Sequence, residues 1–450
     1  MSYNNKYSSK PFERASKTAH TNIINDPEVL RFISSCTFPP LADEIDSSDF
    51  IFSNLDESLA NPIKHIFTID GGYTNEIVRH QFPSATFAFL QFGALLFSYK
   101  DLVELELKPF IDPSDMSKLQ RIERFKLSIP TKGITLKSEK DLISSVRKSI
   151  YDFFFKHPSE QGGLIAALDW LVFGKYDTIA CDYVYNIEHC PLCDNSIAIN
   201  KCMVSVDYTI KCPDCKGVLF LTDILRLHEA MDNELGAGGI LGYLTTAIEQ
   251  MIVVYLIKLI LSKKPELLSE TLFIKDGPLA FFGLTYRVQK PMQRLIRYLH
   301  KKHNIYLVGL EKSGLFAEHA AQASQNFSNN QFMVLGNKYI YKYILPGKSE
   351  ENTPYASTTY YGHKVIFKSK DDYIYVATVP CPSLSVEPRP SDLKNLEIIL
   401  HNVAALKCDL YSSSLIPVVL ANKLVSLASH PSSDLLRAFV QDNLGRGDKT

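Results

Sequence analysis

The sequence predicts an α/β fold built on a mixed sheet. Short apolar, β-branched runs alternate with helical periods along the chain and are not segregated into blocks. The 450 residues suffice for one large domain or two to three ordinary ones. Hydrophobic residues at 46% and charged residues at 22% exclude wholesale disorder, and 23 Tyr and 26 Phe against one Trp give an aromatic-rich core.

The elements follow in order. Residues 1–20 carry no periodicity and read as a mobile arm. Residues 26–59 read as one or two short helices broken by Pro39 and Pro40. Residues 65–69 form a short apolar strand ending at Asp70-Gly71-Gly72, 85–99 one or two long strands, and 102–107 (LVELEL) a further strand. Helices are expected over 138–155 and 161–173. A helix over 223–234 precedes a Gly-rich turn, and a long apolar helix covers 240–263. A strand over 271–275 again ends in Asp-Gly. A basic helix over 291–303, a strand over 304–310, a polar loop over 346–363, and strand runs at 364–367 and 373–379 follow. Helices over 393–406 and 416–427 and a polar tail close the chain.

Lys+Arg total 48 and Asp+Glu 49, a net charge of -1, so contact with nucleic acid or anionic membrane must come from a local patch. No segment reads as transmembrane. The apolar stretches 85–99 and 251–261 are shorter than the roughly 20 residues a spanning helix needs. Gln91 interrupts the first, and Glu249 and Lys263 flank the second. The N-terminus has no apolar signal core. Nine cysteines form an odd set, which suits a reducing, cytoplasmic setting with a metal site better than a disulfide framework.

Cys190-Pro-Leu-Cys193 and Cys212-Pro-Asp-Cys215 have the spacing of a structural zinc ribbon, with β-like residues 196–210 between them. Four thiolates close a tetrahedral shell, which leaves His189 and Cys202 as bystanders. The alternative is two disulfides.

Two runs share a form. IFTIDGG (66–72) and LFIKDGP (272–278) each bring an apolar strand to an Asp followed by Gly. Asp-Gly alone is more often a turn. Glu249, the one acid between Glu234 and Glu266, lies on an apolar helix, where a carboxylate is costly unless paired or metal-bound. Asp70, Glu249 and Asp276 together would make an oxygen-lined site for Mg2+ or Mn2+, and two such ions can activate water and stabilise a leaving oxygen. Residues 286–303 hold six Lys/Arg, and no acid lies between Asp276 and Glu311. Arg294, Arg297, Lys301 and Lys302 could therefore contact a phosphate backbone, or form a solvated helix face. Lys312 at a strand end could hold a phosphate or sit in an ordinary turn.

The order of these anchors resembles the NurA nuclease family. Ile69-Asp70-Gly71, Glu249, Asp276-Gly277-Pro278-Leu279, the strand leading to Lys312-Ser313, and Pro417 through Asn422-Lys423 match its pattern over residues 62–428. The resemblance implies an RNase H-like sheet flanked by helices. It implies a Mn2+/Mg2+-dependent DNA nuclease, with Asp70, Glu249 and Asp276 as metal carboxylates, Asn422 at the fourth ligand position and Lys312 on a phosphate. It further implies a homodimer working with a HerA-type hexameric ATPase in DNA end processing, repair or antiviral defence. Two features depart from the pattern: Asn422 stands where a His or acid is usual, and the zinc ribbon is an insertion. The expected organisation is an N-terminal arm with short helices (1–60), a first core part (61–186), the ribbon (187–220) and a second core part (221–450). Two rivals are a catalytically silent ribbon scaffold that recruits an ATPase, and a nuclease acting on RNA.

Overall fold

The computed structural model describes residues 19–79, 82–106, 122–159, 162–177, 183–346, 352–408, 414–427, 435–436 and 438–439. The expected arm over 1–20 and the polar tail fall almost wholly outside these residues.

The chain opens with helices α1 (Ala19–Ile24) and α2 (Pro27–Ser35) and a two-residue strand β1 (Ser53–Asn54). Strands β2 (His65–Arg79), β3 (Phe82–Ser98) and β4 (Ile122–Lys132) follow, with helix α3 (Tyr99–Glu106) between the last two. Helices α4 (Leu142–Lys156) and α5 (Gly163–Val172) lead into four short strands, β5 (Tyr185–Ile187), β6 (Ile197–Ile199), β7 (Thr209–Lys211) and β8 (Val218–Phe220). Then come α6 (Leu241–Lys263), β9 (Thr271–Asp276), α7 (Gln289–Lys302), β10 (Tyr306–Glu311), α8 (Leu315–Ala323), β11 (Gln331–Val334) and the one-turn α9 (Asn337–Tyr339). The chain continues with β12 (Gly362–Lys368), β13 (Ile374–Pro380), α10 (Leu396–Ala405) and α11 (Ile416–Val425).

Nine strands form one mixed sheet in the order β1-β11-β12-β13-β10-β9-β2-β3-β4. Within it, β2, β3 and β4 are an antiparallel meander, and β9 and β10 join the β2 side as parallel neighbours. That five-strand arrangement is the RNase H-like core. Antiparallel β13, β12 and β11 extend it past β10. The period-two alternation of a strand decides what each face buries. Ile69, Phe273 and Leu307 point into a core shared with α4 to α7 and the short strands. Ile66, Leu272, Ile274, Val308 and Leu310 point into a second core under α10 and α11. A third cluster lies beneath α8.

Four sequence expectations are corrected. The strand at 65–69 does not end at Asp70. Pairing of β2 with β9 stops at Ile69, but β2 runs on to Arg79 against β3 as a hairpin arm. Residues 102–106 fall in α3, not a strand, and Leu107 lies outside the described residues; a short alternation also fits a helical face, and Leu102 is buried. The helix expected at 223–234 is two 3-10 turns broken at Arg226, whose φ of 61° interrupts any continuous helix. The ribbon is not one hairpin between the knuckles but two hairpins, β5-β6 and β7-β8, each with a knuckle in its loop.

Helix α6 is longer than its apolar run suggested. Residues 238–263 are long and apolar enough to cross a membrane, yet 72% of the apolar window is buried inside the fold. It is the central helix of the first core.

Burial lowers the pKa of His300, His319 and His363 to about 4 each. Each binds its proton more weakly folded than unfolded, so this contribution to stability is complete above pH ~6.5 and lost as pH falls toward 4. The urea midpoint should drop across that window, and His363→Gln should flatten the drop; a midpoint constant from pH 6.5 to 4 in the wild type would exclude the assignment.

Candidate active site and metal centres

The two knuckles share one geometry. In the first, the Cys190 N–H donates to Asn195 O at 3.0 Å and the Asp194 N–H to Cys190 O at 2.9 Å. In the second, the Cys212 N–H donates to Gly217 O at 2.9 Å and the Lys216 N–H to Cys212 O at 3.1 Å. Asp194 and Lys216 both take a left-handed conformation four residues after the first cysteine of each pair. The four sulfurs all lie within 4.8 Å of one another, and Cys193 Sγ is 3.9 Å from Cys212 Sγ. A tetrahedral Zn–S shell with bonds of about 2.3 Å sets sulfurs about 3.8 Å apart, whereas a disulfide needs about 2.05 Å. The residues present therefore fit one zinc ion, and all four cysteines are free thiols. His189 hydrogen-bonds Asp194 at 3.0 Å, and neither it nor Cys202 belongs to the four-sulfur group.

The ribbon is fastened to the core. Ile187, Ile197, Ile199, Ile210 and Leu219 belong to the main hydrophobic cluster. Arg147 of α4 grips the buried Asp223 just beyond it through two bonds of 2.9 and 2.7 Å.

The acids meet at the end of the parallel strand pair. Ile69 is registered with Lys275, so Asp70 stands level with Asp276 on the neighbouring strand, and Leu310 is registered with Asp276 on the other side. Strand parity points Asp70 and Asp276 to the same face. Glu249 arrives from the opposite face on α6. It reaches the strand end because Gly71 has no side chain: a Cβ there would stand 3.0 Å from Glu249 Oε1 and 2.7 Å from the Phe92 ring. Asp70 is 4% exposed and Glu249 6%.

The electrostatics follow from this burial. Desolvation pushes the Asp70 carboxyl up to about 7, with the Asp276 and Glu249 charges adding to the rise. Glu249 is also raised, first by burial. Lysines answer two of the three carboxylates: Lys275 Nζ lies 2.7 Å from Glu249 Oε2, and Lys312 Nζ 2.7 Å from Asp276 Oδ2. Asp70 Oδ1 accepts the Gly71 N–H at 2.8 Å, but its Oδ2 is buried with no hydrogen-bond partner. An orphaned carboxylate oxygen beside two further carboxylates is the donor chemistry of a hard divalent cation. Asp70, Asp276 and Glu249 would hold such an ion after the lysines swing aside. Among the described residues only the cysteines bring three or more candidate ligand atoms within 4.8 Å of one another, so the carboxylates sit in an expanded, lysine-neutralised arrangement.

Sequence reasoning missed Lys275, which is 2% exposed. Its signal was a lone lysine inside the apolar run LFIKD. Asn422 lies on α11, whose Val425 and Leu424 pack on Gly72 and Gly93 beside Asp70. Asn422 itself is exposed, and its side chain bonds none of the three carboxylates. The basic patch is divided by topology. Helix α7 returns the chain from the end of β9 to the start of the parallel β10, so Lys301 and Lys302, exposed in its last turn, lie at the sheet edge away from Asp276. Arg297 is exposed and donates to Pro382 O at 3.3 Å; Arg294 is half-buried against Tyr183.

No family profile matches the chain, and no curated protein does. Among solved structures, the chain is similar to the NurA nuclease from Sulfolobus solfataricus, at 8% identity and a TM-score of 0.37 over 97% of this chain and 99% of that one. It is also similar to a second NurA structure, at 10% identity and a TM-score of 0.27 over 95% and 98%. A third, NurA with manganese, gives 13% identity and a TM-score of 0.22 over 95% of each.

Metal analysis should find one zinc per chain, and Cys190→Ser with Cys193→Ser should lower the melting temperature; an equally stable, zinc-free double variant would refute a structural ion. For the acids, Asp70→Asn removes a buried, repelled charge. It should stabilise the metal-free protein by on the order of 2 kcal/mol above pH 7, a gain that shrinks as pH falls toward 4, where the native carboxyl is already protonated. Millimolar Mn2+ should raise the wild-type melting temperature and leave that of Asp70→Asn unmoved. Equal Mn2+ shifts in both proteins would remove Asp70 from the site.

Proposed function

We propose that the protein is a Mn2+/Mg2+-dependent DNA nuclease that hydrolyses phosphodiester bonds. The observation that carries this reading is the unpartnered, buried Oδ2 of Asp70, set level with Asp276 on a parallel neighbour and within electrostatic reach of Glu249. Divalent ions there supply a water nucleophile at neutral pH and charge stabilisation of the leaving oxygen. The chain's residues have separate tasks. Asp70 and Asp276 supply ionised oxygens at the sheet end, and Glu249 adds a third from below. Lys275 fixes the direction of Glu249. Lys312, partly exposed at the mouth, can release Asp276 and take a phosphate oxygen instead. Asn422 remains the proposed fourth ligand position by resemblance, after movement of its side chain. The same resemblance supports a cytoplasmic homodimer working with a HerA-type hexameric ATPase in DNA end processing or antiviral defence. It also supports the division at 60, 186 and 220 into arm, first core part, ribbon and second core part.

A second reading has its own observation. Both Glu249 and Asp276 are already neutralised by lysines, which is how a silent scaffold with a nuclease-like fold would keep its acids. The assay separates the two. Labelled single- and double-stranded DNA and RNA are incubated with Mn2+ or Mg2+ and wild type, Asp70→Asn or Asp276→Asn, with circular dichroism as the folding control. The nuclease reading expects DNA cleavage lost at least a hundredfold in both variants. Absence of wild-type cleavage with either ion supports the scaffold, and full activity in folded Asp276→Asn rejects the site.

A further inference from the structure

We infer a second polar site: a phosphate-ester pocket between the ribbon and the first half of α7. A cavity of about 430 Å³ opens there, lined by Tyr185, Tyr286, Arg287, Lys290, Arg294 and Thr358 among others, and no carboxylate lines it among the described residues. A volume of that size takes a phosphate with its sugar.

The charge around it is not balanced. Behind the wall, Glu188 binds Arg287 and, at 2.8 Å, Arg226, while Glu229 takes Arg226 through bonds of 2.8 and 2.7 Å. Lys290 and Arg294 have no carboxylate partner among the described residues. Arg294 donates one bond, to Val172 O at 3.0 Å, and its guanidinium lies 3.9 Å from the centre of the Tyr183 ring. The Nε atoms of Arg287 and Arg294 and Nη1 of Arg226 are buried without hydrogen-bond partners. Of these, Arg287 and Arg294 line the cavity, and the charge of an anion there would offset the desolvation cost of their unpaired buried N–H groups. Planar forks held by aromatic rings are pre-organised for the oxygens of a phosphate.

The location suits nucleic acid leaving the acids. The cavity is lined by the N-terminal half of α7, at the same sheet edge as Asp276. Its Ser357 and Thr358 belong to the strap that pairs with the segment after Asp276: Phe281 donates to Thr359 O at 3.0 Å, and Ala280 bridges Tyr360. The pocket therefore deepens the nuclease reading and rests on it for the identity of the polymer. The phosphate chemistry is shared by a nucleic-acid backbone and a free nucleoside phosphate.

The test reads binding in EDTA, so it does not depend on the acids being catalytic. Fluorescence anisotropy of a labelled single-stranded DNA is measured against salt for wild type, Lys290→Glu and Arg294→Gln. Melting curves are taken with inorganic phosphate and with adenosine monophosphate, and circular dichroism checks each fold. Lys290→Glu, at an exposed position, should weaken DNA binding about tenfold and reduce the salt slope by about one to two units. DNA binding lost without any shift by the monophosphate assigns the pocket to the backbone. A wild-type melting shift with the monophosphate that Lys290→Glu abolishes assigns it to a free nucleotide. Both folded variants binding DNA with wild-type affinity and slope, with no shift by either small phosphate, overturns the pocket.

Discussion

The parallel pairing of β2 with β9 is the constraint on which the rest of the structure depends. It fixes Ile69 against Lys275 and therefore Asp70 beside Asp276. Neighbouring strands stand about 4.8 Å apart, and parity gives both side chains one direction, so two carboxylates are forced together wherever the strands go. Separating them needs a slip of register, and a slip by one residue would turn Ile66, Ile69, Phe273 and Ile274 out of their cores. The hydrophobic pattern thus enforces an electrostatic conflict that no local rearrangement relieves.

The surrounding fold manages that conflict by contact and not by solvent. Helix α6 is buried along most of its length, and its sole acid reaches the strand end past Gly71, the position where a side chain would block it. Lys275, facing the helix, takes Glu249, while Lys312, from the adjacent strand end, takes Asp276. Of the three carboxylates, Asp70 keeps a buried oxygen without a hydrogen-bond partner. Buried carboxylates crowded together with one oxygen left unmatched are the kind of perturbed group that clusters at functional sites.

The ribbon adds a second organising centre, yet it is not an appendage. Its isoleucines belong to the same cluster as α6, and the Arg147–Asp223 fork ties the segment beyond it to α4. A metal in the knuckles would therefore steady one wall of the proposed arginine pocket as well as its own hairpins.

The sequence by itself determined whatever depends on short spacing or period. The knuckles were legible because two thiolates on one tight turn need only local backbone. The sheet class and the main strands and helices were legible because burial on one face or both leaves a period in the residues. Asp70, Asp276 and Lys312 stood out as charges at strand ends and Glu249 as a lone acid on an apolar helix, and the fold sets the four side chains near one another. Tertiary structure decided the rest. That β2 runs on past Asp70 depends on β3, its partner, and not on the Asp-Gly pair. That 102–106 is helical depends on what Leu102 can bury. That Glu249 approaches from the opposite face, and that Lys275 meets it there, depends on which side of the sheet α6 packs. That Lys301 and Lys302 are carried away from the acids depends on the direction of a parallel crossover. Each of these is a contact between residues far apart in the chain, and no local propensity encodes which distant surface a side chain will meet.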